Sequence, residues 1–383
     1  MIEDLRNKFR GVFNQEPELI YFAPGRVNII GEHIDYNGGL VLPFAMNFGT
    51  YVLLNTRDDN QVVYTSTNFD YSGECSLDEF PTSESEWVKY PMGVFSVMSK
   101  EFFPSSGNNL LYSGDIPIGS GLSSSASIEV VTAYMLNDNK SCGLSLIEIA
   151  KACQAAENGY VGVNCGIMDQ YAVAMGKQDR ALLIDCDKLD HKEIKAYLGE
   201  YKFLVTNTNK PRKLIESKYN ERRAECEKAL KIIKTRKEVK NLCELTSEDL
   251  KLYNYLLKND VLSRRVKHVV KENERVIETA KALEKSDLTT VGSMMNDSHD
   301  SLRDDYEVTG VELDTLVDEA RKIDGVLGSR MTGAGFGGCT ISLVHKESIE
   351  LFKEEVGKAY FEKTGLKADF YETEMCDGVR KIE

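Results

Sequence analysis

The order of apolar and polar positions divides the chain into two textures. In the first half, short apolar runs bounded by Gly, Asn and Ser predict strands over residues 27–30, 51–55, 61–65, 110–113 and 181–184. Helical spacing alternates with them. The opening MIEDLRNKFRGVF has the pattern of a short amphipathic helix. Ser145 with Glu148 forms a capping box, and Leu146, Ile149, Ala150 and Cys153 then share one face. A further helix is predicted after the serines at 123–125, carried by Ile128, Val130, Val131, Tyr134 and Met135. Strand character restarts over 201–206. From residue 213 to about 285 the texture changes to charged amphipathic helices, as in SKYNERRAECEKALKIIK. A helix over 312–322, a glycine-rich stretch and a strand over 339–344 follow. The pattern predicts an α/β chain in two domains, 1–200 and 201–383, and 383 residues suffice for two cores.

Charge and cysteine usage remove some functions. The 47 basic and 61 acidic residues give a net charge of -14, which repels a phosphate backbone and argues against a nucleic-acid partner. The N-terminus is charged where a secretory signal is apolar. No run approaches the roughly 18 apolar residues of a membrane span. A cytoplasmic protein with no membrane partner is expected. The nine cysteines are scattered with no C-x-x-C pair, so reduced thiols are expected rather than a zinc site or a disulfide framework. The five histidines lack metal-ligand spacing.

Four segments carry candidate chemistry. In APGRVNIIGEHIDYNGGLVLP (residues 23–43), Arg26, Glu32, His33 and Asp35 are packed on a hairpin-like loop that ends in Asn37-Gly38-Gly39. A carboxylate accepts from two adjacent hydroxyls, so this density suits a polyhydroxylated ligand; a solvated charged loop reads the same way. In GDIPIGSGLSSSAS (114–127), small residues allow close backbone approach, and free N–H groups at a helix start attract phosphate. Its serines could bond phosphate or hold Mg²⁺; a Gly/Ser turn capping a helix is the plainer alternative. The lysine of a Walker A loop is absent, and Ser124 replaces the third glycine of a dinucleotide fingerprint. MTGAGFGGCTISLV (331–344) matches that fingerprint's spacing in the wrong context, with a helix expected before it and a strand after. In AAENGYVGVNCGIMDQ (155–170), Glu157 ends the capped helix. Asp169 alone reads as an ordinary helix-start aspartate.

Together these segments resemble galactokinases, members of the GHMP kinase superfamily. GRVNIIGEHIDYNGG is similar to the galactokinase-specific segment, GSGLSSSAS to the superfamily's phosphate loop and MTGAGFGGC to its third motif. NTN at 207–209, SKYNERR at 217–223 and SLRDDYEVTG at 301–310 extend the resemblance over nearly the whole chain. Two residues depart from the pattern: Ile34 stands where threonine is usual, and Ser120 where glycine or alanine is common.

The resemblance implies a two-domain GHMP kinase fold, α/β (α+β). A mixed-sheet N-terminal domain packs against an α+β C-terminal domain, with the active site between them. It implies a monomer that phosphorylates the anomeric hydroxyl of galactose from ATP, with Mg²⁺. Galactose would be held by Arg26, Glu32, His33, Asp35, Gly166, Asp169 and Tyr219. ATP would be held by Gly119, Ser120, Gly121, Leu122, Ser123, Ser124 and Ser125, with Trp87 near adenine or simply half-buried in a core. Mg²⁺ would be held by Ser125, in preference to Ser124, and Glu157. Asp169 would be the base or would orient the hydroxyl, and Arg26 would steady it. A related sugar 1-kinase, such as an N-acetylgalactosamine kinase, would share these motifs. A catalytically silent sugar sensor is disfavoured by the intact Ser123-Ser124-Ser125-Ala126, and mevalonate or homoserine kinases by the Glu32–Asp35 cluster.

Overall fold

The computed structural model describes residues 1–80, 86–98, 106–117, 121–163, 165–210 and 215–383. The first half opens with α1 (Ile2–Phe13), β1 (Leu19–Asn28), β2 (Leu40–Val41), β3 (Pro43–Thr56), β4 (Gln61–Ser66) and β5 (Gly73–Ser76). It continues with α2 (Glu86–Met98), β6 (Asn108–Gly114), α3 (Ser124–Asn139), α4 (Leu146–Ala156), α5 (Met168–Met175), β7 (Arg180–Asp185) and β8 (Asp190–Lys195). The second half carries β9 (Tyr201–Asn207), α6 (Ile215–Ile233), α7 (Ser247–Tyr253), α8 (Asp260–Glu284), α9 (Leu288–Ser301) and α10 (Val311–Ala320). It ends with β10 (Val326–Thr332), β11 (Cys339–His345), α11 (Ile349–Thr364), β12 (Asp369–Thr373) and β13 (Arg380–Lys381).

Three sheets result. The first has the order β13-β1-β3-β6-β4-β5 and is mixed, since β4 and β6 run parallel. The second, β10-β11-β9-β12, is antiparallel throughout; the third is β2-β7-β8. The last strand returns to the first sheet, where Lys381 pairs with Tyr21 and Arg380 with Phe22. One core lies between the first sheet and α2, α3 and α4, and includes Val52, Leu110, Val130 and Ile149. The larger core joins the two halves: Ile29, Ile30 and Ile34 pack in one cluster with Val266, Val269, Val270 and Val276 of α8. The polar loop after β1 is therefore nailed down by its apolar residues. Ile34, the residue that departs from the family pattern, is fully buried there.

The strands expected over 51–55, 61–65, 110–113, 181–184, 201–206 and 339–344 form; the first begins well before its expected start, at Pro43, and the others run one to three residues longer. The capping box at Ser145 and Glu148 is present with both reciprocal bonds. Two expectations need correcting. The strand expected over 27–30 runs instead over Leu19–Asn28, because Ile29 and Ile30 leave the sheet for the larger core. The glycine stretch at 333–338 is preceded directly by the strand β10 and not by a helix, so it is a strand-to-strand connection. Among the described residues no helix is long and apolar enough to cross a membrane.

Candidate active site

The site begins at a bulge. Register between β1 and β3 shifts between Pro24 and Arg26. A Cβ on Gly25 would lie 2.7 Å from the Leu122 carbonyl oxygen, so glycine lets β1 press against the serine-rich loop. The Arg26 amide then donates to that carbonyl at 3.3 Å. This close approach turns the Arg26 side chain toward α5. Arg26 donates from Nε to Asp169 Oδ1 at 2.9 Å and from Nη2 to Asp169 Oδ2 at 2.8 Å, a two-pronged charge-assisted pair. Its Nη1 donates to the Gly121 carbonyl at 2.8 Å. Ser123 donates to Asp169 Oδ2 at 2.6 Å. One carboxylate thus ties together the bulge, α5 and the loop that opens α3. Ser123 holds φ 62, a conformation uncommon outside glycine, and faces this junction.

Arg26 and Asp169 lie in the wall of a cavity of about 650 Å³. At one end stand Glu32, His33, Asp35, Gly166 and Tyr219, with Gly333 and Ala334 from the loop after β10. Glu32 is buried and already bonded: Oε1 accepts from Thr332 Oγ1 at 3.0 Å and the Gly333 amide at 2.8 Å. Its Oε2 accepts from Asn28 at 2.7 Å and pairs with the buried Arg330 at 2.7 Å. Burial pushes the Glu32 carboxyl above its ordinary range, and Arg330 opposes that. His33, at φ 62, is held similarly, with Nε2 3.2 Å from the Ala334 carbonyl and Nδ1 2.9 Å from the Tyr36 hydroxyl. A carbonyl can only accept, so Nε2 carries the proton and Nδ1 accepts from Tyr36. Burial drives the ring down to about 3, so it is neutral. Asp35 differs. Among the described residues no side chain donates to its carboxylate, and Gly166 backs onto it so closely that a Cβ there would lie 2.2 Å from Oδ2. Burial in the wall, with the Asp169 and Glu32 charges, raises the Asp35 carboxyl to about 6.

The other end is lined by Trp87, Phe69, Tyr90, Tyr112 and Ile128, with Ser66, Asn68 and Gly114 between them. Trp87 is buried in the first core and also borders the cavity. It stacks on Phe69 with centroids 6.1 Å apart and planes 10° apart. Between the ends lie Gly121, Ser123, Ser124, Ser125 and Glu157. Leu122 turns its side chain into the larger core and offers only its backbone. The expected phosphate contacts Gly119 and Ser120 lie outside the described residues.

Glu157 opens a short π-helical turn (Glu157–Val161) after α4 and is buried, with the Ser125 hydroxyl in hydrogen-bonding reach. Burial raises its carboxyl above the ordinary value. Among the described residues lining the cavity, Arg26 is the single Lys or Arg, against the carboxylates Glu32, Asp35, Glu157 and Asp169. A highly charged anion entering such a cavity needs added cations. No group of three or more His, Cys, Asp or Glu side chains is arranged to hold a metal among the described residues. One carboxylate and one hydroxyl suit a hard cation that keeps water and phosphate oxygens as its other ligands.

A sugar-sized polar pocket and an aromatic pocket, joined through a serine-rich helix start, define a kinase for a small hydroxylated substrate. The "GHMP kinases N terminal domain" matches residues 89–177 and the "GHMP kinases C terminal" matches 279–363. The "Galactokinase galactose-binding signature" matches residues 7–56. Galactokinase of Clostridium acetobutylicum is 47% identical over 386 residues, covering 100% of this chain and 99% of its own. The crystal structure of Lactococcus lactis galactokinase complexed with galactose superposes with a TM-score of 0.96 at 42% identity, over 100% of both chains. The chain belongs to the galactokinase family. Methanococcus jannaschii mevalonate kinase, at 19% identity over 94% of this chain and 98% of its own and a TM-score of 0.63, shares the fold.

Several residues at the site were not legible from sequence. Arg330 and Thr332 pin Glu32 from β10, and Gln170 grips Glu157. Phe69, Tyr90 and Asn68 line the aromatic end. Each is a single residue in an ordinary strand, helix or turn pattern. A signal existed for Gln170, which directly follows Asp169, and for Thr332, which lies in the glycine-rich segment 331–344.

Proposed function

We propose that this chain transfers the γ-phosphate of ATP to the anomeric hydroxyl of galactose, giving galactose 1-phosphate and ADP. The carrying observation is Asp169. Its carboxylate is bonded at once to Arg26 beside the polar end and to Ser123 of the loop that opens α3. A hydroxyl reaching Asp169 from the polar end meets a phosphate lodged on the serine loop. As the anomeric oxygen bonds to the γ-phosphorus, its proton passes to an Asp169 oxygen and the bond to the β-phosphate oxygen breaks. Arg26 orients Asp169 and faces the charge that develops on the phosphoryl group.

Asp35 is the sugar-binding carboxylate in this reading, since no side chain among the described residues donates to it and a carboxylate can accept from two adjacent hydroxyls. Glu32 and His33 shape the wall beside it, and Gly166 and Tyr219 close it. Trp87 and Phe69 receive the adenine, and the start of α3 receives the phosphates. Mg²⁺ fits Ser125 and Glu157, because a buried carboxylate with a hydroxyl in reach, in an anionic cavity, is the donor set a hard cation takes. Bound there, it would neutralise phosphate charge as the bond to the leaving group breaks. The test is ADP release over galactose, glucose and N-acetylgalactosamine, with the product identified by phosphorus NMR. Galactose 1-phosphate as the favoured product supports the reading; preference for N-acetylgalactosamine, or ADP release independent of sugar, overturns it.

A further inference from the structure

The first turn of α5 presents two neighbouring residues to different partners. Asp169 faces Arg26 and Ser123, while Gln170 is fully buried and faces two carboxylates. Gln170 Nε2 donates to Glu157 Oε2 at 2.5 Å and to Glu129 Oε2 at 3.1 Å. An amide nitrogen has two N–H groups, which the two carboxylates take, with Cys165 Sγ farther off at 3.9 Å. Glu129 comes from the middle of α3, is fully buried, and lies outside the cavity wall. A carboxylate sealed in a core is costly to keep and contributes nothing to packing that an apolar side chain would not. Its one bonded oxygen is directed at Gln170, and its Oε1 has no partner among the described residues.

The orientation of the amide explains this arrangement. Rotated by half a turn, Gln170 would turn its carbonyl oxygen toward Glu157 and Glu129; as placed, its –NH₂ end meets both, and its own Oε1 has no partner among the described residues. That contact occupies Glu157 Oε2, which also accepts from the Cys165 thiol at 3.2 Å. Glu157 lines the cavity, with the Ser125 hydroxyl in reach of its carboxylate. We propose that Glu129 and Gln170 form a positioning unit for Glu157: Glu129 sets the amide of Gln170, and the amide aims Glu157 at the divalent cation. Because Gln170 adjoins Asp169 on one rigid turn, the same unit holds the cation ligand and the proton acceptor in fixed relation. This inference rests on the reading of Glu157 as a cation ligand.

The test is Mn²⁺ binding to the full chain with ADP, followed by electron paramagnetic resonance, beside the Mg²⁺ concentration for half-maximal activity. Gln170→Met keeps the volume and removes both donors. It should weaken Mn²⁺ binding about tenfold or more and raise the Mg²⁺ requirement in parallel, with galactose affinity unchanged. Glu129→Met should weaken Mn²⁺ binding at least about threefold. The double variant should be no weaker than Gln170→Met alone, since Glu129 acts through the amide. Additive losses would mean that Glu129 is merely structural. Unchanged Mn²⁺ binding in a folded Gln170→Met, or in Glu129→Met if the first does not fold, overturns the proposal. Glu157→Gln is the reference. If it leaves Mn²⁺ binding intact, the reading of Glu157 itself fails; if it weakens binding and Gln170→Met does not, the positioning unit alone fails.

Discussion

At the polar end of the cavity, Glu32 and His33 direct their hydrogen bonds at the protein, reaching Arg330, Thr332, Gly333 and Ala334 from the far side of the chain. At the aromatic end, Trp87 and Phe69 offer stacked ring faces within the first half. Each end therefore discriminates by a different kind of interaction. A misplaced hydroxyl at the polar end would leave the Asp35 carboxylate unpaired in a wall that those bonds hold fixed. Ring faces accept any flat partner and reward area. The polar end also welds the two halves together, so its shape depends on both; the aromatic end does not.

The predictions test that contrast, beginning where the ends meet. Asp169→Asn keeps size and one acceptor but cannot take a proton. Turnover should fall by about 10²–10⁴, with galactose affinity little changed; kcat from ADP release and galactose binding by calorimetry on one preparation check this. Arg330→Met should act on stability, because it strands the buried Glu32 without its cation. A loss of about 3–5 kcal/mol is expected in urea unfolding, where no comparable loss should follow a change at Phe69. Asp35→Asn should lower kcat/KM for galactose by roughly 10–10² and narrow the preference over glucose, since it weakens charge-assisted acceptance from two hydroxyls.

The same residue sets a pH dependence. With its carboxyl raised to about 6, Asp35 is ionised above that pH and neutral below it. The acceptor is lost as pH falls, so the KM for galactose should climb by up to about tenfold per unit below pH 6 while the KM for ATP holds. Asp35→Asn should flatten that climb. The smallest effect belongs to the aromatic end: Trp87→Phe retains a ring and should raise the KM for ATP only a few-fold, roughly 0.5–1.5 kcal/mol. A change in galactose KM in that variant would break the separation of the ends.

How far the site was legible follows the same division. Arg26, Glu32, His33 and Asp35 share one short stretch of sequence, and the serines of 123–125 stand at a helix start, so density and context drew attention to both. Asp169 and Glu157 took their roles from the family resemblance, since each alone reads as an ordinary helix-end carboxylate. What sequence left hidden is pairing across distance. Arg330 lies 298 positions from Glu32 in a strand of plain pattern, and no local periodicity announces that the two meet. Ile29 and Ile30 read as strand for the same reason: their partners are on α8 rather than on a neighbouring strand. The edge strands β5 and β13 carried too few residues for alternation to register, and β8, with the sequence DHKEIK, is mostly polar and exposed.

The account's central claim is that Arg26 and Asp169 work as one unit at the junction of the two ends. A double-mutant cycle on kcat/KM with Arg26→Lys and Asp169→Asn tests it most directly. Lysine keeps the charge but loses the planar fork that grips both carboxylate oxygens. The account predicts that each single change is costly and that the double variant is scarcely worse than Asp169→Asn alone. Strictly additive losses, or a fully active Asp169→Asn enzyme, would contradict it.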